Sequence, residues 1–152
     1  MTRAEMAREY FKQGYACSQA VALAFADVSG VDEETLAKAM LPFGGGLGRL
    51  RLTCGAVSGM AAAYGLIASK GGNNPQNKKD TYADIQKLCS QFSAENGSLT
   101  CAELLSGQNL SVTVGGVAEP RTGEYYKKRP CAELVYHAAK LLEVHLHEKG
   151  LL

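Results

Sequence analysis

The chain has no excess of charge of either sign: its 152 residues carry 16 Lys and Arg against 15 Asp and Glu, a net charge of +1. The basic residues are interspersed with acids, so no positive field large enough to hold nucleic acid or an anionic membrane is expected. Long apolar runs are also missing. The longest, Ala56 to Ala68, falls short of the roughly 20 residues that span a bilayer and is interrupted by Ser58, Gly59 and Gly65. The opening stretch MTRAEMAREYFKQG is charged and helix-periodic, without the apolar centre of a secretory signal. No membrane insertion and a cytoplasmic location are the expectations. There is no CxxC pair, no internal repeat and almost no strand-like alternation, which sets aside the thioredoxin motif, solenoids and all-β folds.

What is present is a series of helical patterns, predicting one all-α domain over residues 1–152, a bundle of about five or six helices with a glycine-rich loop. Met6, Ala7, Tyr10 and Phe11 share a face in the first. CSQAVALAFADVSG spaces Cys17, Ala20, Val21, Ala24, Phe25 and Val28 by three and four up to a stop at Gly30. The acidic run Asp32 to Glu34 opens a short return helix ended by Pro42. Thr53 is placed to cap the small-residue helix that follows, which is expected near the centre of the bundle and also suits a homodimer contact. A longer helix stops at Gly97, Thr100 and Glu103 have capping-box spacing, and the last helix starts at Pro130. Residues 106–128 show no helical period and are expected to form a flexible segment, with LSVTV as a short strand.

Five cysteines, an odd number, need not be disulfide staples in a chain of this size. Cys17, Cys54, Cys101 and Cys131 each fall at or beside a predicted helix start, where free backbone N–H groups and the helix dipole favour a thiolate. Cys89 alone lies mid-helix and reads as core. If successive helices alternate in direction, Cys17, Cys54 and Cys101 arrive at one end of the bundle; the place of Cys131 depends on the long segment before it. Arg49 and Arg51 are candidates to add positive charge near Cys54. Gly45, Gly46, Gly48 and Arg49 form a candidate cofactor-binding loop in the manner of an anion-binding nest, although no dinucleotide or P-loop fingerprint surrounds them.

Four segments carry a family resemblance: GYACSQAV around Cys17, TCGAVSG at Thr53 to Gly59, NGSLTCAELLSG around Cys101 and KKRPCAELV around Cys131. Together they resemble the redox-active protein family named for its signature, C_GCAxxG_C_C, over most of the chain. The resemblance implies that the signature cysteines are Cys17, Cys54, Cys101 and Cys131 and that the motif glycine is Gly59. One departure stands out. The signature orders its central motif Gly-Cys-Ala, whereas this chain reads Cys54, Gly55, Ala56, a shift of one residue that turns the thiol by about 100° around a helix.

Three functions compete at this point. The first is a thiol-dependent oxidoreductase, exchanging electrons with an unidentified redox partner, in which Cys54 attacks and Cys17 resolves the mixed disulfide. The second uses the same four cysteines as ligands of a metal ion or an iron-sulfur cluster, against which the long separations between them count. The third is a non-catalytic helical module that binds a small molecule or a partner protein. His137, His145 and His147, all in the last helix, and Ser58, without a local base, suggest no separate chemistry.

Overall fold

The computed structural model describes residues 1–108 and 110–152. Among these the chain is all-α, with nine α-helices and no strand. In order they are α1 (Arg3–Lys12), α2 (Cys17–Leu23), α3 (Ala26–Ser29), α4 (Glu33–Met40), α5 (Gly55–Ala68), α6 (Pro75–Asn96), α7 (Cys101–Ser106), α8 (Gly123–Lys128) and α9 (Cys131–Glu148). A 3₁₀ turn, Leu41–Phe43, follows α4.

The count exceeds five or six, and two of the nine have no pattern of their own in the sequence. The second helical pattern breaks at Phe25, whose φ of −117° and ψ of 13° leave the helical region without any glycine or proline to announce it. The 106–128 segment also contains α8, where the Thr122 hydroxyl caps the Tyr125 N–H. LSVTV forms no strand; Asn109, in the same segment, lies outside the described residues.

The helix at the centre is α2, not the small-residue helix α5. Ser18 to Leu23 are all buried, a helix apolar on nearly every side and therefore enclosed by others. It packs on α1, α4, α5 and α9. Its two polar side chains are satisfied: Ser18 Oγ donates to Met40 O at 2.7 Å and Gln19 Nε2 to Ala37 O at 2.9 Å. The expected close approach of α5 occurs here. A β-carbon on Gly59 would stand 2.5 Å from Ser18 O and 3.1 Å from Val21 Cβ, so only glycine lets the two backbones meet. No helix among the described residues is long and apolar enough to cross a membrane.

One junction positions two of the cysteines. Between the glycine loop and α7, Thr53 and Thr100 form an isolated antiparallel bridge. Cys54 N donates to Leu99 O at 2.8 Å and Cys101 N to Leu52 O at 2.6 Å, tying the starts of α5 and α7 side by side. Neither threonine caps its helix; the Glu103 carboxylate accepts instead from Ser98 Oγ.

Candidate functional site

Cys17, Cys54, Cys101 and Cys131 line one cavity of about 330 Å³, near the lower end of ligand-pocket sizes. Cys131, whose place the sequence left open, joins the other three, while Cys89 does not reach the cavity. All five thiols are free. Each of the four sits at the start of a helix: Cys17, Cys101 and Cys131 are the first residues of α2, α7 and α9, and Cys54 immediately precedes α5.

Burial works against the thiolate that the helix starts favour. It pushes Cys54 well above the ordinary thiol value, with the neighbouring Cys17 charge adding to the rise and the Ala56 N–H opposing it. It pushes Cys131 up to about 12, helped by Cys17 and Cys101 and opposed by Arg129 and Arg121. Cys17 is raised too, although the N–H groups of Gly45 and Ser18 point to its sulfur. The helix-start contribution is thus present for Cys17 and Cys54, but desolvation outweighs it. Arg51 does not serve Cys54 as expected: its Nη1 lies 3.7 Å from Cys101 Sγ, a buried contact, while its Nε donates to Thr113 O at 3.0 Å.

The glycine loop turns left-handed. Gly45, Gly46, Leu47, Gly48 and Arg49 have φ of 66°, 77°, 70°, 55° and 66°, and Arg51 follows at 61°. Three of these are not glycine, and each costs roughly 1–2 kcal/mol in that conformation. The loop's N–H groups are largely committed: those of Leu47, Gly48, Arg49, Arg51 and Leu52 donate to carbonyls between Pro42 and Gly46. Of the four candidate residues, Gly48 and Arg49 have their N–H groups bonded within the loop, and the Gly45 N–H points to the Cys17 sulfur. Gly45, Gly48 and Arg49 face the cavity, whereas Gly46 packs on Leu52 N, Arg51 Cα and Cys101 Cβ.

Residues that sequence reasoning passed over complete the site. Arg121, Arg129, Glu119 and Tyr125 all line the cavity. Arg121 donates to the carbonyls of Phe11 and Tyr15 and lies 4.3 Å from the Phe11 ring centroid. Arg129 Nη2 meets Glu119 Oε1 at 2.6 Å, and Arg49 bonds Val117 O. The only warning in the sequence was the density of arginine and tyrosine between Arg121 and Arg129. Among the described residues, no group of three or more His, Cys, Asp or Glu is arranged to hold a metal ion. The four thiols share the cavity without forming such a ligand set.

A family model described as "Putative redox-active protein (C_GCAxxG_C_C)" matches residues 15–144. No curated protein and no solved structure matches the chain.

Proposed function

Given that the chain belongs to the C_GCAxxG_C_C family of redox-active proteins, we propose that it is a dithiol-disulfide oxidoreductase acting on a small disulfide inside the cavity. The observation that carries this reading is the meeting of four free thiols, from four separate helix starts, in one cavity.

Cys101 is the attacking thiol in this scheme, in place of Cys54, because among the described residues it alone of the four has a guanidinium nitrogen within 4 Å of its sulfur. Cys101 Sγ attacks one sulfur of the substrate disulfide, and the other leaves as a thiolate that takes up a proton. Cys17 lies near enough for its charge to be felt by Cys54 and Cys131, and it responds to that of Cys101. It resolves the mixed disulfide by giving up its proton and attacking Cys101 Sγ, which releases the second thiol. The substrate disulfide gains two electrons and two protons; the protein loses both as a Cys17–Cys101 disulfide forms.

Intact mass and peptide mapping after mild oxidation of protein prepared without air test this. The expected result is the loss of two hydrogens, reversed by reductant, with Cys17 and Cys101 in one cross-linked peptide. A bound metal or cluster in the native mass spectrum, with all four thiols blocked, would replace the reading with the ligand-set alternative.

A further inference from the structure

The charged lining of the cavity is one-sided. Arg49, Arg51, Arg121 and Arg129 face Glu119 as the only carboxylate among the described residues of the lining, in a chain whose net charge is only +1. Two of the arginines have their positions explained by the fold: Arg121 closes the end of α1 through the Phe11 carbonyl, and Arg129 holds Glu119. Arg51 is committed to Thr113 O and Cys101.

Arg49 is different. Its side chain is 13% exposed, yet its buried Nε has no hydrogen-bond partner among the described residues. Its Nη2 is 3.6 Å from Glu119 Oε1, an ion-pair separation but too long for a hydrogen bond. Only the contact to Val117 O is formed. Nε and Nη2 make up one edge of the guanidinium; neither makes a hydrogen bond among the described residues, and Nη2 stands at ion-pair distance from Glu119. Leaving a buried donor of a charged group unpaired is costly. The residue is moreover held at a left-handed φ of 66°, which a non-glycine residue adopts at a cost. The rest of the lining, including Phe11, Leu41, Leu104 and Leu134, is apolar.

We infer that the substrate of the cavity is a small disulfide with an apolar body and a carboxylate, the carboxylate pairing with the Arg49 guanidinium. This rests on the oxidoreductase reading and names its substrate class. A cationic disulfide meets the arginines unfavourably, and a neutral one gains no ion pair from them.

The test uses three aliphatic disulfides that differ in charge: dithiodipropionate, hydroxyethyl disulfide and cystamine. The rate of protein thiol loss with each is divided by its rate with mercaptoethanol, which removes intrinsic reactivity. The anionic probe is expected to exceed the neutral one by about tenfold, with cystamine slowest. Arg49→Gln brings the anion-to-neutral ratio close to one, and Arg49→Lys restores it only in part, having no two-pronged edge. Circular dichroism verifies that both variants are folded. Equal rates for the three probes in the native chain, or a ratio unchanged in Arg49→Gln, would overturn the inference and leave the oxidoreductase reading standing. If no probe consumes thiols, the oxidoreductase reading fails by itself. Calorimetric titration with dithiodipropionate then decides the carboxylate site: binding that Arg49→Gln abolishes supports it, and no binding overturns it.

Discussion

The sulfur of Cys17 lies too close to Gly55 for a β-carbon to stand there without a clash. The Phe43 carbonyl oxygen, 2.9 Å from the same point, closes the other side. Gly55→Ala therefore requires Cys17 or the 3₁₀ turn to shift. The expected outcome is a loss of about 1–3 kcal/mol of stability, as for other overpacked core positions. Urea unfolding measures it, and an unchanged midpoint would mean that Cys17 moves aside freely.

The same contact bears on the signature's own order. Exchanging the pair through Cys54→Gly and Gly55→Cys restores Gly-Cys-Ala and sets the new thiol directly against Cys17. A disulfide between Cys17 and position 55 is expected on exposure to air, identified by peptide mapping. Recovery of Cys17 as a free thiol would show that the one-residue offset does not choose its partner.

Alkaline pH is expected to weaken the fold. A thiol whose pKa is raised on folding keeps its proton longer in the folded state, so the stabilisation is complete below the unfolded value and disappears as pH rises through the folded one. Burial raises Cys17, Cys54 and Cys131 from an ordinary value of 9.0, and Cys131 reaches about 12. Stability against urea should fall progressively from about pH 9 to 12. Replacing Cys131 by Ala should flatten the upper part of that decline. Alkylation of Cys131 by iodoacetamide at neutral pH should be correspondingly slow.

Leu47 is an exposed leucine at a φ of 70°. Leu47→Gly removes roughly 1–2 kcal/mol of backbone strain and gives back about 0.5–1 kcal/mol through the freer unfolded chain. A net gain of up to about 1.5 kcal/mol follows from the difference. Thermal unfolding would register it as a higher midpoint; a lower one would show that the leucine side chain contributes packing.

Much of this molecule was legible in its spacing of apolar residues. Cys17, Ala20, Val21 and Ala24 announced the α2 stripe, Gly97 marked the end of α6, and alternating helix directions brought Cys17, Cys54 and Cys101 to one end, with Cys131 left open. What stayed hidden depends on contacts between distant segments. Nothing near Cys54 in sequence states that it will be buried, and burial is what decides its pKa. Arg51 lies three residues before Cys54 yet serves Cys101, because the Thr53–Thr100 bridge brings α7 alongside. The helix α8, with six residues, is too short to show a period, and its Thr122 cap resembles any loop threonine. A positive φ at Leu47, Arg49 and Arg51 contradicts local preference and follows from the loop's internal hydrogen bonds.

That contradiction has a kinetic side. A left-handed run containing three non-glycine residues opposes its own formation, and the Leu52 and Arg51 carbonyls that accept from Cys101 and Ala102 wait for partners about fifty positions along the chain. The loop therefore belongs among the last parts to take shape, after the helices around α2 have condensed. Substitutions within it will act on the rate of unfolding while the rate of folding stays nearly constant. The cavity is then expected to open before the core beneath it, and the lifetime of its four thiols in their shared enclosure is set by this loop.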